Sequence, residues 1–236
     1  KERMVDLLLR RGAEIDLQDK KGDTALILAA CFNRPAVVLR LLRAGAGMTL
    51  RDAEGATALQ LAKEKGHAEC VEAFRTYLGE VAAVRSKAPS AEAGGAGAAV
   101  GASAAASASS GEGGEEAEPG SGAVPEEVVL AVGLGDEEAA LAWLDGGGRV
   151  NATYERGEAS GLTQLMGAAA HGHERLVELF LQRGAEINLQ SSTGFTALLY
   201  AADQGHERVV DLLIRHGAEI NLQMSNGGTA LMGAAI

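Results

Sequence analysis

Along most of this chain apolar residues recur at helical spacing, with charged residues on the opposite face. In Glu207–Arg215 the side chains of Val209, Val210, Leu212, Leu213 and Ile214 form an apolar stripe, and Glu207, Arg208, Asp211 and Arg215 form a polar one. That pattern predicts an amphipathic helix. A shorter apolar run precedes it at residues 197–202, where alanines let two helices approach closely. Gly205-His206 breaks the pattern between the two, and Gly217 stands where a left-handed C-cap is expected. Residues 218–223 then lead out through an extended turn. The pattern therefore predicts helix, tight turn, helix and protruding loop.

This unit recurs at a fixed interval. Gly161-Leu162-Thr163-Gln164-Leu165, Gly194-Phe195-Thr196-Ala197-Leu198 and Gly227-Gly228-Thr229-Ala230-Leu231 start 33 residues apart, and so do Gly22-Asp23-Thr24-Ala25-Leu26 and Gly55-Ala56-Thr57-Ala58-Leu59. A period in this range implies stacked supersecondary units rather than one globular core.

The Gly-x-Thr segment, the Gly-His turn, the paired leucines and the Gly-Ala-Glu-Ile-Asn exit all recur in register, and together they resemble the ankyrin repeat. The resemblance covers nearly all of the chain outside residues 79–124. It implies an all-α fold, an α-solenoid of stacked helix-turn-helix repeats in two arrays. Two positions depart from the family pattern. The family's proline is replaced by Ala25, Ala58, Gln164, Ala197 and Ala230, and its histidine by Ile27, Gln60, Met166, Leu199 and Met232. Alanine is a good helix former, so the first helices should survive. Loss of the histidine's hydrogen bonds implies units held together more by apolar contact than by polar ties.

The first array is read as a half repeat at 1–18, containing only a second helix, followed by repeats at 19–51 and 52–78. Lys63 replaces the second small core alanine of the last unit, which suits a solvated end cap. Residues 79–124, rich in alanine, glycine, serine and glutamate, read as a disordered linker with too little bulky apolar surface to offset ordering entropy. The second array comprises a degenerate repeat at 125–153, repeats at 154–190 and 191–223, and a half repeat at 224–236. A loop around Tyr154 to Ser160 is four residues longer than its counterpart at 191–193. Reading in and out mid-repeat suggests a fragment of a longer protein whose cut repeats fray at both ends.

The formal charge of −11 is concentrated beyond residue 80. A field of that sign repels phosphate backbones, so no nucleic acid is expected as partner. No apolar run approaches the roughly 18 residues of a membrane span. Cys31 and Cys70 lack metal-type or redox spacing and read as buried thiols, implying a reducing compartment, cytoplasmic or nuclear. His171 and His173 form an HxH pair, but His173 occupies the repeat position of His67 and His206, where the family uses histidine structurally. No ligand set for a metal is completed, no glycine run has the context of a nucleotide loop, and no acid pair sits in a recognisable pocket. Neither a cofactor nor a small-molecule substrate is expected.

The resemblance implies instead a noncatalytic protein-protein interaction module or scaffold. Its contact residues would lie on the loop tips and on the exposed side of the first helices. The tip positions are Lys20, Lys21, Glu54, Ser192, Thr193 and Asn226, with Tyr154 in the longer loop. The groove positions are Asp23, Phe32, Lys65, Leu162, His171, Phe195 and Gln204. Phe195 and Tyr154 are candidate anchors because the chain is only 3% aromatic. The alternative is a regulatory or substrate-targeting arm of a larger enzyme, a kinase or ubiquitin ligase, with its catalytic domain outside this sequence. A third reading places the repeats beside a membrane channel.

Overall fold

The structure is a computed structural model and describes residues 1–87 and 124–236. The linker reading lies outside the described residues from 88 to 123. Twelve helices and one β-hairpin make up the described residues. In the first array, α1 (Glu2–Arg10) is followed by the pairs α2 (Ala25–Cys31) with α3 (Pro35–Arg43) and α4 (Ala58–Glu64) with α5 (Ala68–Lys87). In the second, α6 (Glu126–Leu134) pairs with α7 (Glu137–Asp145), α8 (Gln164–Ala170) with α9 (Glu174–Gln182), and α10 (Ala197–Gln204) with α11 (Glu207–Arg215). The chain closes on α12 (Ala230–Ala235), a first helix without a partner of its own in sequence. The final helix of the first array thus continues nine residues past 78, the expected end of that unit, and Arg43 pairs with Glu80 beyond that boundary.

Every first helix except α6, which follows Pro125 without a side-chain cap, begins in the same way. Thr24, Thr57, Thr163, Thr196 and Thr229 hold extended backbone, and each hydroxyl accepts from the N–H three residues on. That cap satisfies one otherwise orphaned donor and contributes about 1 kcal/mol. At Thr57 the cap is reciprocal, with Gln60 accepting from the Thr57 N–H at 2.9 Å. The alanines that follow are fully buried, which lets the first helices stack closely.

The two arrays stack end to end. First helices lie side by side in the order α6, α8, α10, α12, α2, α4, and second helices in the order α7, α9, α11, α1, α3, α5. The half repeat at 224–236 therefore supplies the first helix, and the half repeat at 1–18 the second helix, of a single composite unit. Fraying of cut ends is the expectation this overturns: Met4, Val5 and Leu8 of α1 and Ala234 and Ala235 of α12 are all at 0% exposure. Each half covers the apolar face the other would expose, and fully burying a Met, Val or Leu side chain contributes roughly 1.5–3 kcal/mol.

Polar ties run through the whole stack, in contrast to the expectation of units joined mainly by apolar contact. They have moved from the helix to the loops. Asn151, Asn188 and Asn221 each accept from the backbone N–H of the next unit's glutamate (Glu186, Glu219, Glu14) and donate back to that glutamate's carboxylate, all at 2.9–3.1 Å. The Gln190, Gln223 and Gln18 amides donate to the carbonyls of Gln223, Gln18 and Arg51. Between loops, backbone N–H groups of Ser192, Ser225, Lys20 and Ala53 donate to the preceding loop. Buried amides left without such partners would each cost about 1–3 kcal/mol.

One position departs from the all-helical reading. The longer loop is an antiparallel hairpin, β1 (Thr153–Arg156) with β2 (Ala159–Thr163), closed by Gly157 and Glu158. Gly157 has φ +63°, the positive value that a two-residue hairpin turn demands at its first position.

Gln164, which stands where the other complete first helices carry alanine, is fully buried, and neither its amide nitrogen nor its oxygen has a partner. Gln164→Met keeps the volume and removes the unsatisfied groups. Urea denaturation is expected to show a gain of about 1 kcal/mol; an unchanged or lowered midpoint contradicts that account of the site.

Candidate functional site

The surface that varies from repeat to repeat has two rows. The first runs over the loop tips. Lys20, Lys21, Glu54, Ser192, Thr193 and Asn226 are all exposed there. Backbone ties fix the tips while leaving the lysine side chains to solvent: Lys20 N–H donates to Asn226 O at 2.9 Å and Lys21 O accepts from Ala53 N at 2.7 Å. Ser192 and Thr193 are partly committed to the fold, since Ser192 Oγ accepts from Ser160 N–H at 3.0 Å and Thr193 Oγ1 lies 2.9 Å from Ser191 Oγ.

The second row lies where each first helix ends. Phe32, Lys65 and His171 cap α2, α4 and α8, and Gln204 is the last residue of α10. All four are exposed, Phe32 at 49%. Leu134, at the end of α6, belongs to the same row and is 84% exposed. Sequence periodicity missed it because the four-residue hairpin insertion displaces it from the 33-residue register. The row therefore presents Leu, His and Gln in the units of α6, α8 and α10, and Phe and Lys in those of α2 and α4, with none of them needed for stacking.

The position between glycine and threonine behaves differently. Leu162 is a correction to the groove residues: it is only 7% exposed, because β2 pairs it directly with Tyr154 of β1 and the hairpin covers it. Tyr154 is half-buried; a Cβ on Gly167 would come within 2.9 Å of its hydroxyl. Burial pushes the Tyr154 pKa up. Phe195 is also half-buried, its ring 4.7 Å from that of Tyr200 and tilted by 33°. Asp23, the equivalent in the first array, is half-buried among acids, and burial first and Asp19 and Asp52 next hold its carboxyl above the usual aspartate range.

Two of the expected contact residues meet in a cleft of about 950 Å³ at the α6 end of the stack. Tyr154 and His171 line it together with Leu130, Leu134 and Arg156. Leu130 is 59% exposed, and Glu126 and Glu155 also line the cleft, so this end of the solenoid combines apolar side chains with a cation, two carboxylates, a phenol and an imidazole. A mixed wall of this kind suits a peptide side chain better than a charged small molecule.

The remaining chemistry-bearing residues serve the fold. His173 Nε2 donates to Gly133 O at 2.9 Å, His206 Nε2 to Ala170 O at 3.1 Å and His67 Nδ1 to Ala30 O at 2.9 Å, joining each turn to the preceding unit. His171 stacks on His173 with ring centroids 6.0 Å apart and donates from Nδ1 to Gly167 O. Among the described residues no three His, Cys, Asp or Glu side chains are placed to hold a metal ion. Cys70 is buried, its thiol donates to Asn33 Oδ1 at 3.5 Å, and burial pushes its pKa up, away from a reactive thiolate. No described helix is long and apolar enough to cross a membrane.

Residues 1–82 and 130–236 match the family described as ankyrin repeats (3 copies). No curated protein matches the chain.

Because the Asp23 pKa is raised in the folded state, its charged form is penalised there; the penalty is absent below the unfolded pKa and sets in as pH rises through the folded one. Asp23→Asn is therefore expected to unfold at higher urea than the parent at about pH 7, with the difference vanishing near pH 3. Equal midpoints at both pH values contradict this.

Proposed function

The chain belongs to the ankyrin-repeat family, and we propose from that premise that it is a noncatalytic module that binds partner proteins along the row of first-helix ends and loop tips. Ankyrin repeats are protein-protein interaction modules. The observation that carries the reading here is the contrast between two sets of positions. Capping threonines and buried alanines repeat from unit to unit, whereas the exposed row changes through Leu134, His171, Gln204, Phe32 and Lys65. Positions that do not hold the stack together are available to select a partner.

The partner class favoured is an extended peptide segment with apolar side chains. Leu130 and Leu134 give the cleft an apolar wall, and exposed apolar side chains that cluster mark contact sites. Lys20 and Lys21 at the far tips give such a segment a place for a carboxylate. Tyr154 lines the cleft while half-buried, and the half-buried Phe195 packs instead on Tyr200. A reducing compartment, cytoplasmic or nuclear, is consistent with the half-buried and buried free thiols of Cys31 and Cys70.

Peptides selected from a random display library against the intact chain test this. Their binding is expected to fall at least tenfold, about 1.4 kcal/mol, on the double variant Leu134→Ser with Phe32→Ser, with helical content unchanged. Peptides that bind parent and variant equally place the contact surface elsewhere.

A further inference from the structure

The hairpin has two edges, and the stack uses only one of them. On the β2 side, Ser192 N–H donates to Ser160 O at 2.9 Å and Ser160 N–H donates to Ser192 Oγ at 3.0 Å, so the next loop covers that edge. On the other side β1 has no strand beside it, because the sheet holds β1 and β2 alone. Among the described residues, no backbone hydrogen bond joins Thr153–Arg156 to anything outside the hairpin. The backbone groups of Ser160 point away from β1, so alternation turns those of Ala159 and its partner Arg156 toward each other and those of Glu155 to the open edge. Thr153, Glu155 and Arg156 are exposed there.

That open edge lines the cleft of about 950 Å³ along the whole of β1, and α6 lines the same cleft with Leu130, Gly133 and Leu134. The two leucines are four residues apart and share one face of the helix. Gly133 leaves a gap on that face which packing does not require: a Cβ there would meet only the His171 ring, at 3.9 Å. A row of unpaired N–H and C=O groups beside an apolar wall with room in it selects an extended chain, since a strand alone satisfies every second group along such an edge.

Charge narrows the choice of strand. Residues 125–160 carry eight acidic and two basic side chains, and Glu126 and Glu155 line the cleft against Arg156. A segment with lysine or arginine between its apolar residues complements that balance. Residues 88–123 of this chain do not, with five acidic side chains, no basic one and Val100 as their one bulky aliphatic residue.

Building on the reading that this end of the stack contacts peptides, we propose that the open edge of β1 is a strand-addition site. It takes an extended segment of a partner protein, apolar residues alternating with basic ones, as a third strand whose apolar side chains lie against Leu130 and Leu134. Main-chain bonds to β1 hold the segment, and the side chains around the cleft select it. Four residues and a bulge keep β1 too short to pair indiscriminately.

The probe is a capped synthetic peptide of about eight residues, valine and leucine alternating with lysine and threonine, titrated into the intact chain. Two further versions carry N-methyl groups on alternate backbone nitrogens, one on the odd positions and one on the even. Only one set faces β1 in an added strand, so one version is expected to bind about tenfold more weakly and the other within about twofold of the parent peptide. Gly133→Leu, which fills the gap in α6, is expected to weaken the parent peptide about tenfold with helical content unchanged. Glu126→Gln with Glu155→Gln is expected to weaken it about threefold at low ionic strength. Binding that Leu134→Ser weakens, but to which the two methylated versions are equal, overturns strand addition while leaving peptide contact at this end intact. Binding untouched by Leu134→Ser takes the contact away from this end, and the proposal with it. Absence of binding up to about 1 mM also overturns strand addition.

Discussion

Stacking of one helical unit against the next is the interaction on which the rest of this structure depends. Its helices are short, mostly six to nine residues, and helices of that length are not stable in water by themselves. Each acquires stability by burying alanine and leucine against a neighbour, while the asparagine, glutamine and histidine ties set the register in which neighbours meet. Stability is then a sum over units and the interfaces between them, and no central core carries it.

That constraint explains both ends of the chain. A half repeat has an uncovered apolar face, and the two half repeats here have faces that fit one another, so α12 and α1 build one unit between them. The outer ends of the stack differ in character. At one, α4 exposes Lys63 and the long α5 leaves Leu78, Val81 and Val84 to solvent; at the other, α6 leaves Leu130 and Leu134 to solvent beside the hairpin. The second end is the one where partner recognition is proposed, and there apolar surface, a hairpin edge and variable groove positions coincide.

Much of this could be read from the residues because a repeat displays the same physical requirement several times over. The Gly-x-Thr cap, the alanine-lined first helix and the Gly-His turn each follow from a local rule, and the regular units obey all of them. What escaped reading depended on distant or displaced neighbours. Leu162 shares its repeat position with the half-buried Asp23 and Phe195, and only the hairpin pairing buries it fully. Leu134 was not recognised because an insertion shifts its register. The joining of the two ends needed the observation that residues over 200 positions apart make the same ties as residues 31 to 36 apart. Position within the unit was legible in sequence; accessibility, which depends on what lies across the stack, was not.

Hydrogen exchange along the intact chain tests most directly whether the two arrays form one stack through a composite repeat. Amides of α1 and α12 are expected to exchange as slowly as those of α10 and α2 on either side, because all four then open only with the stack itself. Rapid exchange in α1 and α12, with slow exchange retained in α8 to α11, contradicts the composite repeat and leaves two separate arrays with frayed ends.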